Sequence, residues 1–186
     1  MNEKELLERM RKDPSEFSVV FREYYRVIFS YVFRRVTDFD ITRDIVSETF
    51  RKAFVHIKYF DYRGLSIKVW LYRIATNETN LYFSYQKRNK KYFQKLDWPA
   101  DSPYHQYIEE DRAVLDLELT RHEQFVRISK EIKLLPEKYQ EVLSLRYFEG
   151  KQNREIAMIL GKKEGTVKSL ISRGLSMLKG KCNDWL

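Results

Sequence analysis

Near the C-terminus, polar and cationic residues that could contact nucleic acid follow the pattern of two short helices. Residues 154–161 read REIAMILG and residues 165–171 read GTVKSLI. Ala157 is small enough for two helices to cross closely, and Gly161 permits a tight turn between them. Apolar residues at helical spacing would hold the pair together: Ile156, Leu160, Val167 and either Ile171 or Leu170. The pattern is typical of a helix-turn-helix motif, whose second helix enters the major groove of DNA.

The first turns of that second helix carry residue types that reach base edges and phosphates. They are small, hydroxyl-bearing or cationic: Gly165, Thr166, Lys168, Ser169, Ser172 and Arg173. An ordinary helical hairpin with the same apolar residues is the alternative interpretation, because the pattern is degenerate. The basic surplus between positions 162 and 181 favours DNA binding.

A second group of residues, in the first half of the chain, suits single-stranded nucleic acid. Trp70, Arg73 and Asn77 lie in a segment with helical periodicity. Aromatic residues precede and follow them: Tyr59, Phe60, Tyr62, Tyr82, Phe83 and Tyr85. Stacking on aromatic side chains contributes ~1–3 kcal/mol per unpaired base and needs no particular base sequence. The alternative is that these rings belong to the hydrophobic core, and we expect this of several of them.

Residues typical of catalytic or metal sites are few and widely separated. His56, His105, His122 and Cys182 have no metal-ligand spacing with one another. The sequence also lacks a phosphate-binding glycine loop and a serine-centred nucleophile motif. We therefore expect no enzymatic activity, no cofactor and no metal site.

Composition restricts the class of protein further. The 186 residues are 43% hydrophobic and 33% charged, which excludes a membrane bundle, a collagen-like fibre and wholesale disorder. The net charge of +8 favours a polyanionic partner, and the single cysteine fits a reducing compartment. The N-terminus is too acidic for a signal peptide, and no apolar run reaches the ~18 residues of a membrane span. A cytoplasmic protein without membrane insertion is expected.

Helices must position both groups of residues. No proline lies between Pro14 and Pro99, which indicates long helices rather than turn-rich sheet. Apolar residues at helical spacing predict helices at about residues 17–35, 41–57 and 66–88, with Ser66 as an N-cap.

The faces of these helices can also be predicted. On the second helix, Asp44, Glu48 and Arg51 are expected to face outward, opposite an apolar stripe that includes Phe54. On the third helix, the buried side is expected to use Leu71, Ile74, Ala75 and Leu81.

Charge and proline usage divide the chain into three parts. Seven acidic residues and only one basic residue lie between positions 97 and 118, which also contain Pro99 and Pro103. We therefore predict an all-α fold with two small helical domains, residues 1–95 and 122–186, joined by a flexible acidic linker at residues 96–121. In the second domain, helices are expected to begin at Pro136, near Gln152 and near Glu164.

Two motifs in this order resemble those of bacterial sigma factors. Leu135-Pro136, residues 155–157, Leu160-Gly161 and residues 165–169 are similar to sigma region four. Residues 44–50 and 70–75 are similar to sigma region two. The order of the motifs, with a linker and no third domain between them, resembles the extracytoplasmic-function (group IV) subfamily of the sigma-70 family, and the resemblance covers residues 14 to 180.

The resemblance implies a factor that binds core RNA polymerase and directs promoter recognition, promoter melting and transcription initiation. In this family the helix containing residues 44–50 docks on the clamp coiled coil of the polymerase. The matching positions are Asp44, Ile45, Val46, Glu48, Thr49 and Phe50. The family also implies an anti-sigma factor as a partner.

The same resemblance assigns each nucleic-acid surface to a promoter element. The loop and helix that face the minus-ten element match Tyr62, Arg63, Gly64, Trp70, Arg73 and Asn77. The helix that begins near Gly165 is expected to bind the minus-thirty-five element in duplex form, through the six residues named above.

Several positions depart from the family pattern. Leu170 and Leu175 stand where many members carry arginine, which predicts an unusual minus-thirty-five sequence. Gly174 stands where alanine is common and lowers helix propensity by roughly 1 kcal/mol. The alternative function is a stand-alone helix-turn-helix transcriptional regulator, which would not need the surface of residues 44–50.

Overall fold

The computed structural model describes residues 3–60, 65–88 and 130–182. Side chains are described up to Gln86 in the second range and up to Lys179 in the third. Every regular element in these ranges is helical. Seven α-helices have bounds that fall within them: α1 (Glu3–Lys12), α2 (Phe17–Val36), α3 (Phe39–His56), α4 (Ile67–Arg88), α5 (Glu137–Leu143), α6 (Asn153–Leu160) and α7 (Glu164–Cys182). The turns at Pro14–Glu16 and Ile57–Tyr59 are 3-10 helix, and Ser144–Phe148 is a π-helical segment. The prediction of an all-α fold is confirmed, whereas the predicted linker lies outside the described residues.

Short-range signals set the ends of the helices. The Asp38 carboxylate accepts a hydrogen bond from the Ile41 amide at 2.9 Å and caps α3. The predicted cap on α4 is confirmed, since the Ser66 hydroxyl accepts from the Val69 amide at 3.2 Å. Helix α6 ends at Gly161, whose φ of 62° lies in the left-handed region that favours glycine. Pro136, the predicted first residue of α5, occupies the N-cap position instead, so the helix begins one residue later, at Glu137.

Helices α2, α3 and α4 form a three-helix bundle in which each contacts the other two. Its core is rich in aromatic residues because α2 presents rings to both neighbours. Phe21 and Tyr25 lie with their ring centroids 4.8 and 6.1 Å from that of Phe50 on α3. On α4, Tyr72 lies edge-on to Tyr31 with centroids 5.1 Å apart. The buried Tyr31 hydroxyl is paired with the Thr76 hydroxyl at 2.9 Å, so the polar tip of this ring is satisfied.

Two predictions about helix faces are wrong. Leu81 was expected in the core but is 44% exposed, because the buried face of α4 centres on Leu71, Ala75, Thr79 and Tyr82. At 3.6 residues per turn, Leu81 lies about 80° around the helix axis from Leu71, at the edge of the buried face. Phe54 is also half-exposed at the end of α3, although its ring contacts Phe17 edge-on at 5.4 Å.

Asp44 is a further correction. It was expected to face solvent with Glu48 and Arg51, but it is buried and only 7% exposed. The guanidinium of Arg43 lies between two carboxylates, 3.6 Å from Asp40 and 4.0 Å from Asp44. A buried carboxylate needs a charged or hydrogen-bonding partner, and Arg43 contributes one here.

The second half of the described chain packs on the first. We call residues 130–182 the helix-turn-helix unit. Helix α6 contacts α4, and the π-helical segment contacts α2. Buried apolar residues from both halves, among them Ile28, Tyr72, Leu145 and Ile156, belong to one continuous core. No helix in the described ranges is both long enough and apolar enough to cross a membrane.

Gly174 lies where α7 approaches α5 most closely. A Cβ atom at this position would lie 3.1 Å from Leu143 Cδ1 and 3.4 Å from Tyr139 Cβ. The missing side chain therefore allows helix contact, which offsets the loss of helix propensity. The structure thus explains a residue that helix propensity alone disfavours.

We predict that Gly174→Val lowers the free energy of unfolding by about 1–3 kcal/mol, because added volume must displace the buried Leu143 and Tyr139. Gly165→Val is the matched control, since no atom lies within 4 Å of a Cβ built at that helical glycine. Denaturant unfolding of the full chain measures both. Equal midpoints for the two variants would contradict the close-approach explanation.

Candidate nucleic-acid interface

The predicted helix-turn-helix is present in α6, α7 and the turn between them. Ile156 and Val167 are fully buried between the two helices, as the motif requires. Ala157 is partly buried at the contact, and its carbonyl accepts a hydrogen bond from the Lys162 amide at 2.9 Å. Both Leu170 and Ile171, the alternatives left open by the sequence, pack against the core.

The N-terminal turns of α7 present an open polar surface. All six sequence-predicted residues of this helix are exposed: Gly165, Thr166, Lys168, Ser169, Ser172 and Arg173. The Lys168 ammonium lies 3.3 Å from the Glu164 carboxylate, with both side chains largely in solvent. Exposed pairs of this kind contribute little to stability, so Lys168 can exchange Glu164 for a phosphate at small cost.

Three further cations lie beside this surface and were not singled out from the sequence. Lys162 and Lys163 are exposed in the turn that follows Gly161, and Arg154 is exposed on α6. Because these cations lie on either side of the turn glycine in the sequence, they could have been identified as candidate DNA contacts from the sequence. They add positive charge where a phosphate backbone would pass a helix lying in the major groove.

Leu170 and Leu175 contribute to packing rather than to this surface. Both side chains are only partly exposed and contact the hydrophobic core. Apolar residues at these two positions therefore strengthen the attachment of α7 to its own domain. The polar residues of α7 that the sequence predicts to contact DNA are confined to its exposed face.

Helix α4 carries the second predicted group. Trp70, Arg73 and Asn77 are three and four residues apart, so they lie along one face of the helix. Arg73 and Asn77 are exposed, whereas Trp70 is partly buried and its ring lies 4.6 Å from that of Phe60. The indole therefore has a packing role in addition to any contact with a ligand.

The exposed face of α4 continues beyond Asn77. Leu81 and Tyr85 follow at intervals of four residues, and both are half-exposed. In contrast, Tyr82 and Phe60 are buried, and Phe83 lies beneath the Arg35 guanidinium at 5.6 Å. The core interpretation thus holds for part of the aromatic group. Tyr62, Arg63 and Gly64 lie outside the described residues.

The third candidate surface, on α3, contains one accessible predicted residue. Ile45, Val46, Thr49 and Phe50 are buried, like Asp44, and only Glu48 is partly exposed.

The Glu48 carboxylate is held in a local ion-pair network. It accepts two hydrogen bonds from Arg51, at 2.6 and 2.7 Å, and it lies 3.6 Å from the Lys52 ammonium. The hydrogen bonds from Arg51 hold the pKa of Glu48 below its usual value, and the charge of Lys52 adds to this. Glu48 is therefore ionised near neutral pH, and both of its carboxylate oxygens are engaged by Arg51. Within the described ranges, no cluster of three or more His, Cys, Asp or Glu residues could hold a metal ion.

Two parts of the chain match known protein families. Residues 20–89 match the family described as Sigma-70 region 2, and residues 125–178 match Sigma-70, region 4. The first match covers α3, α4 and all but the first three residues of α2, and the second covers the helix-turn-helix except the last four residues of α7. Each candidate surface therefore lies within a matched segment.

Individual proteins are similar over nearly the whole chain. The ECF RNA polymerase sigma factor SigW of Bacillus subtilis is 29% identical, covering 99% of this chain and 98% of its own length. The RNA polymerase sigma-H factor of Pseudomonas aeruginosa is 30% identical, covering 92% and 89%. The fold is similar to that of CnrH, solved in complex with the cytosolic domain of CnrY, with a TM-score of 0.63, 18% identity and coverage of 98% and 97%.

We predict that Lys168→Ala and Arg173→Ala each weaken binding of duplex DNA by the full chain. A base-directed contact should cost about 1–3 kcal/mol and relax specificity at one position, whereas a phosphate contact should weaken all sequences alike and reduce the salt dependence. Fluorescence anisotropy over a salt series distinguishes the two. Lys179→Ala, an exposed cation near the end of α7, is the control; an equal loss there would argue against a localised surface.

Proposed function

The chain belongs to the extracytoplasmic-function subfamily of the sigma-70 factors, and from this premise we propose which of its surfaces meets each partner. Factors of this family direct RNA polymerase to promoters, and that is the function of this protein. The polymerase carries out RNA synthesis, so the factor contributes binding free energy rather than catalytic groups.

The minus-thirty-five element is assigned to the exposed face of α7. This assignment is supported by six exposed residues on the second helix of a helix-turn-helix: Gly165, Thr166, Lys168, Ser169, Ser172 and Arg173. This is the helix that enters the major groove in proteins with this motif. We therefore propose that α7 binds this element as duplex DNA.

Core polymerase is assigned to α3, with Glu48 as its charged contact. Glu48 is the one partly exposed residue among the six sequence-predicted positions, and it is ionised. The buried residues Ile45, Val46, Thr49 and Phe50 act indirectly, because they hold α3 in the bundle. Asp44 is proposed to act in the same indirect way, through its ion pair with Arg43.

We predict that Glu48→Lys weakens association with core polymerase at least about tenfold, as expected for loss of a charge pair at an interface. The measurement is a titration of labelled full-length factor with core enzyme. Arg51→Ala tests whether loss of the intrahelical pair alone has an effect. Glu8→Lys, at an exposed position on α1, controls for net charge. Unchanged affinity for Glu48→Lys would remove Glu48 from the docking surface.

The minus-ten element is assigned to the exposed face of α4 and to the loop before it. Arg73 and Asn77 are exposed in line on this face, with Trp70 partly exposed at its start. A cation and an amide suit the phosphates and base edges of an opened strand. Tyr62, Arg63 and Gly64 are proposed to contribute from the loop.

We predict that Arg73→Ala and Asn77→Ala reduce run-off transcription from a closed duplex about tenfold. The loss should be much smaller on a template already mismatched across the minus-ten region, because pre-melting removes the cost of opening. Gln86→Ala, an exposed position on the opposite side of α4 from Asn77, is the control. If the mismatched template instead restored transcription by the Lys168 and Arg173 variants, the two surfaces would have the opposite roles.

A regulatory partner and a location complete the proposal. Family membership supports an anti-sigma factor as a partner, and the structurally similar CnrH was solved with the cytosolic domain of CnrY. Since its partners are RNA polymerase and promoter DNA, the proposed location is the cytoplasm.

A further inference from the structure

Helix α1 lies outside both segments that match the sigma-70 family. The region 2 match begins at residue 20, whereas α1 spans Glu3–Lys12. The helix is nevertheless packed against the rest of the molecule, because Leu6, Leu7 and Met10 are each no more than 3% exposed. These three side chains lie on one side of the helix. Helix α1 therefore has a fixed position from which its polar side chains can reach other elements.

Arg11 connects α1 to the chain that follows α3. Its Nη2 atom donates a hydrogen bond to the Phe60 carbonyl at 3.0 Å. Phe60 is buried, and its ring lies 4.6 Å from that of Trp70 on α4. The 3-10 turn at Ile57–Tyr59, directly before Phe60, also contacts α1. Arg11 therefore holds the backbone of the residue whose ring supports the Trp70 indole.

Glu3, at the other end of α1, contacts the start of α4. Its carboxyl group accepts a hydrogen bond from the backbone amide of Ile67, the first residue of α4. The first amides of a helix have no partner within that helix, so Glu3 satisfies one of them. The Oε2 atom of Glu3 is also buried, which means that the carboxyl group points into the protein.

The two contacts place α1 across both ends of the connection that leads into α4. Glu3 and Arg11 are eight residues apart, or about 12 Å along the helix axis. They bind backbone groups on either side of the connection, at Phe60 before it and at Ile67 after it. A single helix with one contact on each side fixes where α4 begins relative to Phe60.

The polar contacts supply a constraint that apolar packing lacks. Apolar burial is not directional, so the buried side chains of α1 attach the helix without fixing its exact position. Hydrogen bonds require defined distances and angles, so they do fix it. Groups that bind a ligand must be held to within about 0.5 Å of their productive geometry by neighbours that lock their positions. Trp70 and Arg73, in the first two turns of α4, depend on such neighbours.

We propose that Arg11 and Glu3 are positioning residues for promoter melting, which hold Trp70 and the first turns of α4 in the arrangement that binds the opened strand. The proposal rests on the assignment of the exposed face of α4 to the minus-ten element. Arg11 and Glu3 do not contact DNA themselves, because each acts through the backbone group that it binds. Helix α1 thus extends the region that supports melting beyond the segment that matches the family.

The Arg11 variants separate positioning from general stability. Arg11→Met removes the hydrogen-bond donors and keeps an unbranched apolar side chain, whereas Arg11→Lys keeps a donor and should restore function. Arg9→Met is the matched control, because Arg9 lies on the same helix and pairs with Glu16 rather than with the connection into α4.

The Glu3 variants test the other end of α1 in the same way. Glu3→Met removes the acceptor for the Ile67 amide. Glu3→Gln keeps an acceptor and should behave like the parent. Circular dichroism and denaturant unfolding of the full chain check that helix content and stability are comparable among all variants.

Fluorescence of Trp70 measures the position of the indole without polymerase. The sequence contains three tryptophans, so Trp98→Phe with Trp185→Phe leaves Trp70 as the single indole. In this background Arg11→Met should shift the emission to longer wavelength and increase quenching by acrylamide, because the Phe60 ring no longer covers the indole. Arg11→Lys and Arg9→Met should match the parent. A parent-like spectrum for Arg11→Met would overturn the positioning of Trp70.

Run-off transcription by the holoenzyme measures the effect on melting. Arg11→Met and Glu3→Met should lower the yield from a closed duplex about tenfold, the loss expected when one hydrogen bond to a charged group is removed. The loss should be much smaller on a template mismatched across the minus-ten region, because pre-melting removes the cost of opening. Equal losses on both templates, or the same loss for Arg9→Met, would overturn the positioning role and leave α1 with a stabilising role alone.

The Arg73→Ala variant distinguishes this proposal from the function on which it rests. If Arg73→Ala loses transcription on the closed duplex and Arg11→Met does not, the role of α1 is overturned and the assignment of the α4 face stands. If Arg11→Met loses it and Arg73→Ala does not, the positioning of Trp70 by α1 stands. The assignment of Arg73 to the opened strand is then wrong.

Discussion

The buried carboxylate of Glu149 determines how the two halves of this molecule meet. Its oxygens accept hydrogen bonds from side chains on two different helices of the bundle, Arg34 on α2 and Tyr72 on α4. A charge removed from water must keep its partners, so this contact permits few relative positions of the helix-turn-helix unit. The apolar core continues across the contact, but apolar packing is not directional and cannot fix the position alone.

Each of the two helices with a proposed DNA surface packs one side against the core and exposes polar residues on the other. On α7, Val167, Leu170 and Leu175 pack inward, and the opposite side carries the polar residues. On α4, Tyr72 and Thr76 face α2 while Arg73 and Asn77 face solvent. The two proposed DNA surfaces differ accordingly: α7 is assigned to the groove of a duplex, and α4 is assigned to an opened strand.

Helix α3 shows how a binding surface can depend on buried residues. Most of the segment that resembles the polymerase-docking motif lies in the core, and Glu48 alone among the six positions reaches solvent in part. Thr49 is buried, and its hydroxyl donates to the Ile45 carbonyl at 2.8 Å, which removes the cost of burying that polar group within its own helix. The residues that match a family motif thus include buried residues that hold the helix in position as well as exposed residues that form its surface.

The sequence by itself predicted the helices from α2 onward, the Ser66 cap and the helix-turn-helix, but not α1. Capping by Ser66, the turn at Gly161 and the burial of Ile156 and Val167 depend on neighbours a few residues away, so local patterns were sufficient. Only the tertiary structure decided that Asp44 is buried, that Leu81 is exposed and that Gly174 is a point of close approach. It alone paired Glu149 with Arg34, which is 115 positions away. Such contacts leave no periodic signal, because which face of a helix is covered depends on distant segments that fold against it.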